Sequence, residues 1–318
     1  MNVLIYGGGA VGLGIASCLI HSQIAVDIIA RPQTVLQLRR EGLFRKGLFG
    51  DFFAAPTEFG SYSSLEALPT RIYDYILVCT KSYDTLQAAQ DIRRHSGCFD
   101  ADTRIVLFQN GWGNAEIFSS FFPKEQIYCA RVITGFTRAK ANEVVITVHA
   151  DAIHIGRLFA AASEKIQNLC SAITRGGIPC RPTNDIEKDL WAKMLYNCAL
   201  NPLGAILNVP YGALAENKST RFIMNSIIRE IFAVLACTGY RTHWDDADSF
   251  LDVFYSRLVP DTAEHRSSTL QDMNAEKKTE IDALNGAVIR LADTHHIQVP
   301  YNQTLYHIIK FREPLSGD

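Results

Sequence analysis

The stretch MNVLIYGGGAVGLG, residues 1–14, decides the fold of this chain. Its apolar run predicts a buried strand, and Gly7, Gly9 and Gly12 follow in the spacing G-x-G-x-x-G at the start of a helix-like segment. In that context Gly7 permits a tight turn, Gly9 lets a pyrophosphate approach the backbone, and Gly12 lets the helix pack on the strand. The N–H groups of the helix N-terminus then point at the phosphates. The sequence therefore predicts a dinucleotide-binding turn rather than a glycine-rich turn that binds nothing.

The residue after the second predicted strand, which spans 25–30, selects between the two nicotinamide dinucleotides. Arg31 stands where an NAD-specific site would carry Asp or Glu for the ribose 2′-OH. A guanidinium can bind a 2′-phosphate through two hydrogen bonds, whereas a carboxylate would repel it. The alternative is an ordinary surface arginine, since strand ends often carry charge. We expect NADPH rather than NADH.

Short apolar strands alternate with helical segments along the first half of the chain. Strands are predicted over 73–80 and 104–109, helices over 34–41 and 83–94, and a hairpin over 42–56. This alternation is typical of a mostly parallel, doubly wound sheet. Ligands of such sheets bind at the carboxyl ends of the strands, where Lys81 and Asn110 lie together with the glycine turn.

The pattern changes after residue 126. Strands over 127–136, 143–150 and 152–157 are expected to continue the sheet in antiparallel fashion, before a helix over 163–175 and an extended stretch at 179–182. Helices then dominate, over 186–207, 219–239, 246–257, 271–294 and 301–312. The predicted fold class is α/β, with a Rossmann-type dinucleotide-binding domain followed by an all-α C-terminal domain. We assign 1–184 to NADPH binding and 185–318 to a helical substrate and catalytic domain.

Composition and charge exclude several classes of protein. The chain has 318 residues, of which 47% are apolar and 20% charged, and its net charge is −2. That charge gives no reason to expect nucleic acid or an anionic membrane as a partner. No apolar run approaches the roughly 20 residues that span a bilayer. The first residues lack the features of a signal peptide, so we expect a cytoplasmic protein.

The cysteines and histidines show no metal-binding pattern. The 8 cysteines are scattered without a C-x-x-C pair, which is typical of buried thiols in a reducing compartment. The 9 histidines show no H-E-x-x-H or similar spacing. We therefore expect no metal ion.

A polar stripe opens the helical half. Lys193, Asn197 and Asn201 are four residues apart on the helix predicted over 186–207, so they lie on one face. Apolar residues surround them, and buried polar groups need hydrogen-bond partners, which a polar ligand would supply. The alternative is a solvated face, a role for which asparagine is a poor choice. We also expect Asn201-Pro202 to perturb the helix, because proline disfavours helical geometry in the residue before it.

A second polar cluster lies over 265–288, with the sequence HRSSTLQDMNAEKKTEIDALNGAV. Ser267 or Ser268 can cap the helix that follows, and Glu280 is expected on the later turns of that helix. Most of the charges fit a solvated face. Glu280 and Asp282 stand among apolar residues, and residue chemistry alone leaves their role open.

Motifs that carry a family resemblance run along nearly the whole chain. They are GGGAVG at 7–12, Arg31, TKS at 80–82, QNGWG at 109–113, W-A-K-x-x-x-N-x-x-x-N-P-L from Trp191, and S-S-x-L-Q-D…K-x-T-E-I-D-x-x-N-G from Ser267 to Gly286. In this order they resemble the ketopantoate reductase family of NADPH-dependent enzymes of pantothenate synthesis. The resemblance implies a Rossmann-type domain followed by an all-helical one, with the active site in the cleft between them.

For the cofactor, the resemblance implies contacts from the glycine turn, from Arg31 and from three residues further along the chain. The residues of the turn are Gly7, Gly8, Gly9, Ala10, Val11 and Gly12, and the later ones are Lys81, Asn110 and Glu280.

For the chemistry, the resemblance implies that Lys193 is the general acid that protonates the keto oxygen of a small 2-keto acid. Asn197 and Asn201 would hold the hydroxyl and carboxylate end of this substrate, and Ser268 would bind its carboxylate. Glu280 would help to position Lys193, and Asn110 would also line the substrate site. An ammonium directed at the keto oxygen stabilises the charge that develops there during hydride transfer.

Two departures from the family pattern leave the substrate open. Tyr211 stands where the family commonly has an asparagine, and the loop over 132–140 lacks the usual Thr- and Ala-rich sequence. The first hypothesis is a reductase that converts 2-dehydropantoate to (R)-pantoate, and the second is a reductase of another branched or bulky 2-keto acid. A third, a cofactor-binding sensor without catalysis, is disfavoured because the site residues are all present. The apolar helices could bury themselves internally or form a homodimer, which we slightly favour.

Overall fold

The computed structural model describes residues 1–159 and 164–314. Contacts divide the chain into two units. The N-terminal unit comprises Met1–Gln109 and Asn114–Ile186, and the C-terminal unit comprises Asn110–Gly113 and the chain from Glu187 onward. The boundary between Ile186 and Glu187 lies close to the predicted domain boundary at residue 184. The sequence does not predict that Asn110–Gly113 belongs with the C-terminal unit. The assignment of NADPH binding to 1–184 and of substrate chemistry to 185–318 stays a prediction.

Every strand among the described residues belongs to the N-terminal unit. In chain order they are β1 (Asn2–Tyr6), β2 (Ala25–Ile29), β3 (Leu43–Gly47), β4 (Phe52–Ala54), β5 (Gly60–Tyr62), β6 (Tyr75–Val78), β7 (Arg104–Leu107), β8 (Ile127–Arg131), β9 (Thr134–Lys140), β10 (Glu143–His149), β11 (Ile153–Gly156) and β12 (Cys180–Pro182). The helices of this unit are α1 (Ala10–His21), α2 (Pro32–Glu41), α3 (Thr85–Arg94), α4 (Asn114–Ser119) and α5 (Gln167–Arg175).

The main sheet has the strand order β12-β11-β8-β7-β6-β1-β2-β5. It is parallel from β8 to β5, and β11 joins β8 in antiparallel fashion. Val3, Leu4 and Ile5 of β1 are fully buried, as a central strand covered on both faces requires. Because β1 pairs with β2 on one side and with β6 on the other, the strand order reverses beside β1, where doubly wound sheets bind ligands.

A second sheet, in the order β4-β3-β10-β9, corrects one expectation. The predicted hairpin over 42–56 is present as β3 and β4. The strand expected over 127–136 is divided between β8, which is parallel to β7 rather than antiparallel, and the start of β9. The strand expected over 143–150, β10, does not continue the main sheet but pairs with β3 and β9. The reason lies in packing against α1, where a Cβ on Gly14 would stand 2.4 Å from the ring of Phe136 of β9. That contact needs a glycine on the helix, and strand periodicity alone does not reveal it.

The helix predicted over 163–175 begins later than expected. A 3₁₀ turn over 164–166 leads into α5, and residue 163 lies outside the described residues. The predicted extended stretch at 179–182 is present as the edge strand β12.

Helices make up the C-terminal unit. They are α6 (Ile186–Leu207), α7 (Tyr211–Glu216), α8 (Lys218–Thr238), α9 (Ala247–Val253), α10 (Ser268–Asn274), α11 (Asn285–Thr294) and α12 (Pro300–Arg312). A π-helical turn at Phe254–Leu258 extends α9. In the described residues, no helix combines the length and apolar character needed to cross a membrane. The predicted fold class, a Rossmann-type α/β domain followed by an all-α domain, is confirmed.

Helix α6 continues through Pro202, which corrects the expected perturbation. Proline has no N–H to donate to the carbonyl four residues earlier, so the carbonyl of Cys198 loses its intrahelical donor. The buried side chain of Asn285 replaces it, donating from Nδ2 to that carbonyl at 3.2 Å. A tertiary hydrogen bond therefore lets the helix pass the proline without an unsatisfied buried acceptor.

The single helix predicted over 271–294 is in fact two helices, so Glu280 does not lie on a helix. α10 ends where Glu276 adopts φ 52° and the N–H of Lys277 donates to the carbonyl of Asp272. This is a Schellman ending without the glycine that usually marks it. Glu280 lies in the turn that leads into α11.

Candidate active site

The glycine turn joins β1 to α1 in a conformation that only glycine permits. Gly7 has φ +117°, and a Cβ there would stand 2.8 Å from the backbone of Cys79 and Thr80, just after β6. A Cβ on Gly12 would stand 2.0 Å from the carbonyl oxygen of Gly7. Both positions therefore pack backbone against backbone, as the motif predicts.

Gly9 differs from its neighbours because it faces open space. A Cβ there would meet only the carbonyl oxygen of Cys79, at 3.9 Å. Gly9 is the N-cap of α1, and no acidic residue stands in the first turn and no side chain caps it. The N–H groups of Ala10 and Val11 belong to that turn and have no acceptor within the helix. This open, electropositive cradle fits the pyrophosphate of a dinucleotide.

The carboxyl ends of β6 and β7 are joined by one buried amide. Gln109 donates from Nε2 to the carbonyl of Lys81 at 3.3 Å, to Thr80 Oγ1 at 3.2 Å and to Thr85 Oγ1 at 2.9 Å. Since Thr80 packs on Gly7, these bonds hold the backbone of Lys81 beside the glycine turn. The sequence does not single out Gln109, although the QNGWG motif contains it.

Arg31 lies at the end of β2, as predicted, and is the exposed N-cap of α2. Pro32 begins the helix with a φ that suits its first turn. The Arg31 side chain therefore begins at the electropositive end of α2, and the helix dipole would add to its attraction for an anion bound there.

Lys193, Asn110 and Glu280 form a hydrogen-bonded chain within the C-terminal unit. Lys193 Nζ donates to Asn110 Oδ1 at 2.6 Å, and Asn110 Nδ2 donates to Glu280 Oε2 at 3.1 Å. The Glu280 side chain is buried, and the other two are half-buried. The amide of Asn110 thus links the amine to the carboxylate, in an arrangement that restrains the direction of the lysine side chain.

Aromatic packing holds Asn110–Gly113 against the same unit. The ring of Trp112 lies 4.7 Å from that of Trp191 and 4.7 Å from that of Tyr240, centroid to centroid. The N–H of Trp112 donates to the carbonyl of Ala283, three residues after Glu280. Gly111, with φ +88°, has no room for a Cβ beside Ala283. These contacts explain how Asn110 reaches Lys193 and Glu280 despite its distance from both in the sequence.

Asn197 and Asn201 follow Lys193 on the same face of α6. They are 9% and 4% exposed. The Asn197 side chain has no hydrogen-bond partner within the described part of the chain. Asn201 accepts one hydrogen bond, from the phenol of Tyr211 at 2.5 Å. The Asn197 amide and the Asn201 NH₂ group, which have no partner among the described residues, are polar surface that a ligand would satisfy.

Tyr211, the departure from the family pattern, is buried at the start of α7. Burial, and then the nearby Tyr196, raise the pKa of the Tyr211 phenol well above its usual value. The phenol therefore stays protonated and donates to Asn201 Oδ1. Asn201 therefore has two N–H donors and one remaining lone pair of Oδ1 to present to a ligand. The motif locates Tyr211, but sequence spacing does not reveal its bond to Asn201.

The two serines at the start of α10 have different roles. Ser267 is the N-cap, and its Oγ accepts from the N–H of Leu270 at 3.0 Å. Ser268 is half-buried, and its hydroxyl bonds to none of residues 1–159 and 164–314. The N–H of Tyr211 donates to the carbonyl of His265 at 3.1 Å, so this segment lies beside the Asn201–Tyr211 pair.

Comparisons with known proteins cover almost the whole chain. Residues 3–159 match the family model described as ketopantoate reductase PanE/ApbA, and residues 185–313 match that of the ketopantoate reductase PanE/ApbA C-terminal domain. A 2-dehydropantoate 2-reductase of Aquifex aeolicus is 35% identical over 98% of this chain and 97% of its own length.

Solved structures share the fold. A PanE/ApbA family ketopantoate reductase from Ralstonia eutropha JMP134 is 28% identical, with a TM-score of 0.84 and 98% of each chain covered. The ternary structure of a D-mandelate dehydrogenase with NADH and anilino(oxo)acetate is 22% identical, with a TM-score of 0.87 and the same coverage. At that identity the second likeness concerns the fold alone.

Proposed function

This chain belongs to the ketopantoate reductase family of oxidoreductases that act on a CH–OH group, and we propose that it reduces 2-dehydropantoate to (R)-pantoate with NADPH. The observation that carries this proposal is the Lys193–Asn110–Glu280 chain, which restrains an amine on the same helix face as two buried amides. Relatives named 2-dehydropantoate 2-reductase support the choice of substrate.

Lys193 is the general acid in this proposal. When bound, the reduced nicotinamide supplies the hydride that the carbonyl carbon of the substrate receives. The ammonium of Lys193 stabilises the negative charge that develops on the keto oxygen and then gives that oxygen a proton. Asn110 and Glu280 restrict the rotamers of Lys193, so that its donor is oriented before the reaction begins.

The substrate is held by the amides and the serine near Lys193. The two N–H groups of Asn201 suit the carboxylate or keto oxygen of a 2-keto acid. Ser268 has a hydroxyl to donate to the same carboxylate. Asn197, with both its donor and its acceptor available, suits a substrate hydroxyl. The set is complementary to a small, polar keto acid that carries one negative charge.

The cofactor assignment rests on the glycine turn and Arg31. The open position at Gly9 leaves room for a pyrophosphate, and Lys81 is held beside the turn. Arg31 would bind the 2′-phosphate, which distinguishes NADPH from NADH. The expected cytoplasmic location and the homodimer stay predictions.

The test is NADPH oxidation by the purified protein with a panel of 2-keto acids. The panel includes 2-dehydropantoate, 2-oxoisovalerate, which lacks the hydroxymethyl group, and the bulky phenylglyoxylate. We expect the highest kcat/KM with 2-dehydropantoate, and the product should be the R enantiomer on chiral chromatography. Tight binding of NADPH without oxidation by any 2-keto acid would favour a non-catalytic sensor instead.

The bond between Tyr211 and Asn201 favours a second candidate, a reductase of another branched or bulky 2-keto acid. An asparagine oxygen that already accepts from a phenol has only one lone pair left, so it is a less available acceptor for a substrate hydroxyl. Discrimination in favour of a hydroxylated substrate is then weaker. This second function would be favoured if kcat/KM with 2-oxoisovalerate or phenylglyoxylate exceeds kcat/KM with 2-dehydropantoate.

A further inference from the structure

A second arginine of the N-terminal unit stands beside the first turn of α2. Arg138, on β9, donates from its guanidinium to Thr34 Oγ1 at 2.5 Å and to the carbonyl of Ala141 at 2.8 Å. Its Nε donates to the carbonyl of Lys140 at 3.2 Å. Thr34 lies in the turn of α2 that Arg31 caps, and the N–H of Thr34 donates to the carbonyl of Arg31. These bonds hold the Arg138 guanidinium at the end of the helix where Arg31 stands.

Among the described residues, no carboxylate supplies a counter-charge to either guanidinium. In the part of the chain that the structure describes, neither Arg31 nor Arg138 forms an ion pair with a carboxylate. Burial, and then the charge of Arg31, lower the pKa of the Arg138 guanidinium. Two like charges repel when they are held near each other. An anion bound between them would remove that repulsion and accept hydrogen bonds from both.

This pair lies beside the glycine turn. A Cβ on Gly8 would stand 2.5 Å from Ala30 Cβ and 3.5 Å from Thr34 Cγ2, so the first turn of α2 packs against the turn itself. In a doubly wound dinucleotide site the adenosine ribose lies at the end of the second strand, with its 2′ position directed at the residue there. Arg31 occupies that place, and Arg138 approaches it from β9.

We propose that Arg138 and Arg31 together bind the 2′-phosphate of NADPH, so that Arg138 is a second determinant of cofactor choice. The inference rests on the proposed function, because it concerns the same cofactor. In this proposal Arg138, a residue of the second sheet, contributes to recognition of the adenosine end of NADPH. The alternative is that Arg138 only fastens the β9–β10 hairpin to α2 through Thr34 and Ala141.

Equilibrium binding separates these two roles. We expect Arg138→Met to raise the Kd for NADPH and for adenosine 2′,5′-bisphosphate about tenfold to 100-fold, as the loss of hydrogen bonds to a charged group predicts. The Kd for NADH should change less than about twofold, because NADH has no 2′-phosphate. Arg138→Lys keeps the charge but not the planar fork, and its Kd for NADPH should lie between those of the wild type and Arg138→Met.

Lys140→Met is the matched control. Lys140 lies on the same strand, carries the same charge and pairs with Glu143 at 3.9 Å. Its removal tests whether NADPH binding depends on Arg138 itself or on any positive charge on β9. We expect this variant to bind NADPH like the wild type. Calorimetric titration gives the affinities, and thermal unfolding together with NADH binding reports on the integrity of the fold.

The outcomes distinguish this inference from the proposed function. If the wild type prefers NADPH but Arg138→Met binds it normally, or loses NADPH and NADH equally, Arg138 has only a structural role. If the wild type binds NADH as tightly as NADPH, the proposed cofactor is wrong, and the role of Arg138 is rejected with it.

Discussion

The glycine turn and the Lys193 face of α6 are built by opposite means. The turn presents backbone N–H groups and open space, and its shape is set by which positions lack a Cβ. The Lys193 face presents side chains, and their directions depend on partners far away in the sequence, namely Asn110, Glu280 and Tyr211. A site formed by backbone groups can therefore be predicted from a short motif. A site formed by side chains depends on the tertiary fold, which brings their hydrogen-bond partners together.

Substitutions in these two regions should also have different effects. At the turn, added volume either breaks the backbone packing or blocks the ligand, depending on what the new Cβ meets. On α6, removal of a functional group should change the chemistry while cofactor binding to the turn continues. The following experiments test whether the two regions are separable in this way.

The largest effect is expected at the amine. Lys193→Met should lower kcat by about 10²- to 10⁴-fold, because the developing oxyanion loses its proton donor, while the Kd for NADPH changes little. Lys218→Met is the control, since Lys218 is an exposed lysine at the start of α8. Stopped-flow NADPH oxidation and fluorescence titration give the two quantities. Near-normal turnover of Lys193→Met would exclude the acid role.

Substitution of glycine by alanine should have different effects at two positions of the turn. Gly9→Ala should fold normally and raise the Kd for NADPH about tenfold to 100-fold, because its Cβ enters only the space left for the pyrophosphate. Gly12→Ala should lower the free energy of unfolding by about 3 kcal/mol, because its Cβ meets the carbonyl of Gly7. Chemical denaturation and titration measure both.

Gly97→Ala serves as the reference for this pair, since a Cβ there meets nothing within 4 Å. It should change neither stability nor affinity by a measurable amount. A Gly9→Ala variant that binds NADPH like the wild type would mean that the phosphates do not pass over this residue.

Arg31 should affect one cofactor and spare the other. Arg31→Ala should raise the Kd for NADPH about tenfold to 100-fold and leave the Kd for NADH within about twofold, because only NADPH carries the 2′-phosphate. The measurement is the ratio of the Kd for NADPH to the Kd for NADH, compared between the wild type and Arg31→Ala. Equal weakening of both cofactors would show that Arg31 does not distinguish them.

The smallest effect is expected at Tyr211. Tyr211→Phe removes the phenol that competes for Asn201 Oδ1, so a substrate hydroxyl should be bound more strongly there. The ratio of kcat/KM for 2-dehydropantoate to that for 2-oxoisovalerate should then rise about two- to tenfold. Tyr196→Phe is the matched control, because the hydroxyl of this neighbouring tyrosine bonds to Thr262. If both variants shift the ratio alike, the Tyr211–Asn201 bond does not govern selectivity.

Several elements followed from local sequence patterns. Apolar periodicity predicted α6 over its observed range, and the alternation of strands and helices predicted the parallel sheet. The failures occurred where a remote group intervenes. The pairing of β10 with β3, the passage of α6 through Pro202, and the turn that carries Glu280 each depend on contacts across the fold.

By itself the sequence determined the glycine turn, the order of the domains, the polar stripe on α6 and the family, because each depends on residues close together in the chain or on motifs in a fixed order. Only the tertiary structure decided that Asn110 links Lys193 to Glu280, that Tyr211 occupies the oxygen of Asn201, and that Arg138 stands beside the turn that Arg31 caps. Each of these joins side chains from separate elements, and hydrogen bonds of a few ångströms exist only once packing has brought those elements together.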